Sequence, residues 1–120
     1  MRKYSFEKLN VWEDIRTLIQ FVYEETKKFP GDEKFGLVMQ LRRAAISVSS
    51  NIAEGSSRMT AKDQAYFYNT SYSSLMEILS QIMVANDLGF LENESYEKNN
   101  RKNFTTKNNL RKSVLNRSKP

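Results

Sequence analysis

The chain has 120 residues, 19 of them Lys or Arg and 14 Asp or Glu, giving a formal charge of +5, and it contains no His and no Cys. That length accommodates one domain with a real core and not a second. The missing His and Cys exclude disulfides, thiolate nucleophiles, zinc ribbons and the commonest general base, so any metal site would be built from carboxylates and carbonyls alone and no cofactor is implied.

The N-terminus opens basic, but charges return before an apolar stretch of signal-peptide length accumulates, and no run approaches the roughly eighteen apolar residues of a membrane span. A cytoplasmic protein with no membrane partner is expected. Residues 1–9 read as an arm, residues 10–92 as three helices, and residues 93–120 as a fourth, basic and Asn-rich, with a frayed tail. Asn10 is the expected N-cap of a first helix ending near Lys28, where Lys27 and Lys28 suit the negative end of the helix dipole. Phe29-Pro30-Gly31-Asp32 reads as a turn, and Asp32 or Glu33 opens a second helix that tolerates Gly36 in its first turn. That helix runs to about Glu54, with Gly55 as the left-handed residue that closes it. Thr60-Ala61-Lys62-Asp63 resembles a capping box with Asp in place of Glu, and the third helix then meets no breaker before Gly89. A fourth starts near Asn93-Glu94-Ser95.

Hydrophobic spacing supports four helices and an all-α fold. Val11, Ile15, Leu18 and Val22 mark the first seam; Val38, Leu41, Ala45, Val48 and Ile52 the second; Ala65, Tyr68, Tyr72, Leu75, Leu79 and Ile82 the third. The third helix is also apolar off its seam, at Tyr66, Phe67, Met76, Ile78, Met83 and Val84, so it needs cover on both flanks or from another subunit. On the second helix Ala44, Ser47 and Asn51, with Ser50 beside them, form a small polar face. Ser47 and Asn51 there either bond backbone carbonyls and a neighbouring helix, or form a polar network at an interface. The fourth helix has only a sparse stripe of Tyr96, Phe104, Leu110, Val114 and Leu115 among five Asn residues, which predicts a marginal helix.

Charge is concentrated at one end. Residues 93–120 carry eight basic and two acidic side chains, whereas residues 61–92 carry one and four. From Lys98 onward there is no acid: Lys98, Arg101, Lys102, Lys107, Arg111, Lys112, Arg117 and Lys119. Interleaved with Asn, Ser and Thr donors and Phe104, this segment suits a phosphate backbone of RNA or DNA, a solvated tail, or an acidic protein partner. Arg42 and Arg43 lie about 100° apart on a helix, so they do not share one ligand, and Arg43 is a candidate ion-pair partner for Glu13, Glu54 or Glu77 across the bundle or a subunit boundary.

Catalytic signatures are missing: no GxxxxGK[ST], GxGxxG, GxSxG or HExxH occurs. Glu13-Asp14, Glu24-Glu25 and Asp32-Glu33 are adjacent pairs that point apart on a helix and read as solvated faces and helix-end charges. No catalytic constellation emerges, and the chain is expected not to be an enzyme.

Three stretches are more specific than composition. Phe6-Glu7-Lys8-Leu9-Asn10-Val11-Trp12, then Phe29-Pro30, then the run from Phe35 to Gly55 containing Gln40-Leu41-Arg42-Arg43-Ala44-Ala45 and Ser50-Asn51-Ile52-Ala53-Glu54-Gly55, resemble the four-helix bundle proteins encoded in 23S ribosomal RNA intervening sequences. Phe67, Ser73-Ser74-Leu75-Met76-Glu77 and Ala85-Asn86-Asp87-Leu88-Gly89-Phe90-Leu91 continue the likeness, which covers about residues 4–92. The resemblance implies an up-and-down four-helix protomer in a ring-like homopentamer. It extends to the accessory variability determinant of diversity-generating retroelements, a relative that binds nucleic acid and a reverse transcriptase. Arg42, Arg43, Ser47, Asn51, Glu54 and Gly55 would then serve structure or assembly. The Asn-rich fourth helix departs from the family, whose members keep more leucines there.

Overall fold

A computed structural model of the chain describes residues 4–118; Met1, Arg2, Lys3, Lys119 and Pro120 lie outside the described residues. Four helices account for most of it: α1 (Trp12–Thr26), α2 (Met39–Ser56), α3 (Ala61–Asp87) and α4 (Asn93–Ser118).

Ahead of α1, Ser5–Lys8 forms a 3-10 turn in which the Tyr4 amide donates to Glu7 Oε1 at 2.9 Å. Ser5 Oγ donates to the Ser56 carbonyl at 3.1 Å, so the arm is fastened to the far end of α2. The expected cap at Asn10 is not used. Val11 holds the N-cap position with no side-chain bond, because the chain is steered into α1 by packing: the Trp12 amide donates to the Leu9 carbonyl at 3.1 Å and the Phe6 and Trp12 rings meet edge to face at 4.6 Å. Glu13 and Asp14 supply the acidic first turn that the helix dipole favours. α1 ends at Thr26, so Lys27 and Lys28 fall just beyond it and pair back to Glu24 and Glu25 at 3.6 and 3.5 Å.

The link to α2 is less regular than the sequence implies. Gly31–Glu33 is a 3-10 turn and Lys34–Val38 a single wide turn broken at Gly36, with the Glu33 carboxylate accepting the Leu37 amide at 3.2 Å. Phe29 is buried and packs on Phe90 at 5.3 Å, tying this link to the α3–α4 connection.

Gly55 does not close α2. The helix continues through it to Ser56, and the left-handed closure occurs instead at Gly89, φ 79°, where the Phe90 amide donates to the Ala85 carbonyl at 2.9 Å after α3. Thr60 caps α3 as expected, its Oγ1 accepting from the Asp63 amide at 3.2 Å.

Neighbouring helices run antiparallel. Ser47 shares a hydrogen bond with Ser74 and Gln81 donates to Gln40, which fixes α2 against α3; Arg117 near the end of α4 reaches Gln64 near the start of α3. α4 closes the bundle against α1. Val11, Ile15, Leu18, Val22, Leu41, Val48, Ile52, Tyr68, Leu75 and Ile78 form the centre of one core. α4 joins it through an unexpected face. Leu110 is fully buried, but the residues in line with it are Asn99, Asn103 and Thr106, also buried, with Asn103 Nδ2 donating to Asn99 Oδ1 at 2.6 Å. Leu115, placed in the apolar stripe by the sequence, is 51% exposed. The side chain of Phe104 lies outside the described residues.

Candidate functional site

The strongest charge feature lies on α4. The polar row Asn99, Asn103 and Thr106 faces inward, so most of the Lys and Arg side chains of the helix are turned out. Lys98, Arg101, Lys102, Arg111 and Lys112 are exposed, and none takes part in an ion pair among the described residues. They wrap around the free side of the helix and do not converge on a point. Lys98 and Lys102 border a cavity of about 250 Å³ against Phe21 and Glu25 of α1, and Lys112 borders one of about 280 Å³ against Leu9 and Val11. Lys107 stands apart. It is half-buried and lines a groove of about 350 Å³ on the α3 side with Met76, Leu79 and Met83.

Arg117 belongs to the fold. Its Nε donates to Gln64 Oε1 at 3.1 Å, its Nη1 to the Ser113 carbonyl at 3.2 Å, and its guanidinium sits 4.6 Å from the Tyr68 ring centroid. Burial raises the Tyr68 phenol above its ordinary pKa of 10.0, with the Arg117 cation opposing that rise.

The second group singled out by sequence is largely internal. Arg42 Nε donates to Thr26 Oγ1 at 2.9 Å and its guanidinium lies 4.7 Å from the Tyr23 ring centroid, clamping α2 to α1. Ser47 Oγ shares a 2.9 Å bond with Ser74 Oγ, while Asn51 Nδ2 donates to the Ser47 carbonyl at 2.8 Å. Ser71 of α3, which sequence reasoning passed over, donates to the Val48 carbonyl at 2.7 Å in the same seam. The small polar face of α2 thus joins two helices of one protomer. Glu54 pairs with Arg58 at 3.5 Å, and Gly55 lies against Tyr68. Arg43 alone in this group is exposed and outside every ion pair among the described residues; Glu13, one of its expected partners, is engaged by Arg16 at 3.2 Å.

One acidic pair departs from expectation. Glu25 is buried, not solvated, because it sits where α4 closes on α1; its Oε2 accepts no hydrogen bond among the described residues, with the Lys28 ammonium 3.5 Å away. Among the described residues no cluster of three or more carboxylates is placed to hold a metal ion, and no helix is long and apolar enough to cross a membrane.

A family model described as 23S rRNA-intervening sequence protein matches residues 7–112. No curated protein matches the chain. The match spans the end of the arm, α1, α2, α3 and most of α4, and the chain belongs to the 23S rRNA-intervening sequence protein family.

Proposed function

We propose that this 23S rRNA-intervening sequence protein is a non-enzymatic, cytoplasmic nucleic-acid-binding protein with little sequence preference, and that it acts as a homo-oligomer, the ring of five that the family resemblance implies. The observation that carries the reading is the set of exposed cations Lys98, Arg101, Lys102, Arg111 and Lys112 on one 26-residue helix, none spent on an internal ion pair among the described residues. Such cations release condensed counterions from a phosphate backbone on contact, and the exposed Asn100 and Thr105 between them add hydrogen bonds to phosphate and sugar. Nothing in their wrapped arrangement selects a base. A weak contact gains avidity when assembly repeats it along one strand.

The test is a salt series with structured RNA and duplex DNA, comparing the chain with a variant carrying Lys98→Gln, Arg101→Gln, Lys102→Gln, Arg111→Gln and Lys112→Gln. Log affinity is expected to fall linearly with log salt. On duplex DNA the slope should be shallower in the variant by up to about 0.9 for each phosphate it no longer neutralises. Equal binding by both proteins, or no binding at low salt, refutes the reading.

A second reading, a scaffold for a protein such as a reverse transcriptase or ribosomal component, is favoured by the groove between α3 and α4. Its Met76, Leu79 and Met83 walls suit an apolar side chain better than a phosphate. Retention of such a protein by the five-fold Gln variant, with nucleic-acid binding abolished, would separate the two.

A further inference from the structure

The outer faces of α2 and α3 each carry an exposed row in which apolar and charged side chains alternate, and the charges are opposite. Leading into and along α2, Phe35, Met39 and Ile46 are 78, 49 and 45% exposed, and with Lys34, Arg42 and Arg43 they edge a groove of about 520 Å³. On α3, Glu77, Val84 and Leu88 recur at i, i+7 and i+11, one side of a helix. Val84 and Leu88 are 49 and 56% exposed, and Glu77 and Asp87 are exposed beside them.

Arg43 and Glu77 stand at the same level of the bundle, bracketed by the Gln40–Gln81 and Ser47–Ser74 hydrogen bonds, yet they do not pair. The other acids within the sequence's reach of Arg43 are taken: Glu13 by Arg16 of the same helix and Glu54 by Arg58 just beyond α2. The Glu77 carboxylate accepts the Gln81 Nε2 amide at 3.2 Å and joins no ion pair among the described residues. Exposed apolar surface rimmed by charge marks a contact site, and the matching surface of opposite sign is present on the same chain.

We propose that the basic apolar row of α2 in one copy packs on the acidic apolar row of α3 in a second copy, with Arg43 paired to Glu77 of that second copy. The occupant is a second copy because the α3 segment supplies both halves of the complement: with the two helices antiparallel and Glu77 level with Arg43, Val84 falls beside Phe35 and Met39 and Asp87 beside Lys34. Glu77 and Asp87, both exposed, make the face that meets Lys34 and Arg43 negative. This rests on the assembly half of the proposed function and supplies its contact.

The experiment is sedimentation of the full chain, wild type against Arg43→Glu, Glu77→Arg and the double reversal, with helical circular dichroism and urea unfolding showing that each folds. Each single reversal is expected to weaken assembly about tenfold or more, and the double reversal to restore most of it, as a coupled charge pair requires. Met39→Ser and Val84→Ser are expected to weaken assembly without touching charge. A wild type that is monomeric at micromolar concentration overturns both this contact and the ring. An oligomeric wild type whose single reversals assemble normally, or are not rescued by the double, overturns the contact alone.

Discussion

Gly55 of α2 lies directly under the ring of Tyr68 of α3: a Cβ built on it would come within 2.7 Å of Tyr68 Cε1 and 2.8 Å of Cδ1. The same tyrosine also meets Arg117 of α4, whose guanidinium is 4.6 Å from the ring centroid. One aromatic ring therefore joins three helices, and the glycine sets how closely two of them approach.

Gly55→Ala should lower stability although alanine is the better helix former. The propensity gain is about 1 kcal/mol, whereas forcing a methyl against the ring costs about 1–3 kcal/mol. A net loss of about 1 kcal/mol in urea unfolding is expected; Gly31→Ala, which meets nothing within 4 Å, should show no such loss.

Alkaline unfolding should report Tyr68. Its phenol is raised above 10.0 in the folded chain, so the native state holds the proton more tightly than the unfolded state. Its contribution to stability is complete below pH 10.0 and is lost as pH rises through the higher folded value. Tyr68→Phe should remove that decline, measured as the slope of unfolding free energy against pH above 10.0.

Leu110→Ala and Leu115→Ala separate the two sides of α4. Leu110 is fully buried and its truncation should cost about 2–5 kcal/mol. Leu115 is 51% exposed, and its truncation should stay within about 0.5 kcal/mol.

The Asn99–Asn103 bond gives an asymmetric expectation. Asn103→Ala removes the donor and leaves the buried Asn99 amide oxygen without it, at about 1–3 kcal/mol. Replacing both asparagines by Leu removes donor and acceptor together and should be neutral or stabilising in thermal melts.

Helix number, the Thr60 cap and the seams of α1 and α2 were legible in the sequence because each is written in a local pattern: a capping residue, or an apolar side chain every three or four positions. On α3 the expected seam was only partly right: Ser71, Ile78 and Ala85 are buried in it, and Tyr72 and Leu79 flank it half-buried, because the helix is apolar on more than one side and only its neighbours decide which side turns inward. Gly55 was misread for a physical reason. A glycine after an apolar run serves equally to end a helix or to let a tyrosine in, and only the position of Tyr68 in space decides between them. The inner face of α4 was missed because its 3-4-3-4 spacing, Tyr96, Asn99, Asn103, Thr106, Leu110, is carried mostly by polar residues that a hydrophobic pattern ignores. Of the candidate site, the exposed cations of α4 were visible as a charge run. Arg117 was not separable from them, since its ring and amide partners lie more than forty positions back along the chain.

The amide-lined seam also fixes how the molecule answers to heat and denaturant. Apolar exposure raises the heat capacity of unfolding and polar exposure lowers it. Peeling Asn99, Asn103 and Thr106 from the bundle uncovers little hydrocarbon compared with opening α2, whose inner row is Leu41, Ala45, Val48 and Ile52. Release of that part of α4 thus carries a small heat-capacity change and a small urea dependence. Its amide hydrogens would exchange by a route that added urea scarcely accelerates, while those of α2 wait for the whole bundle to open.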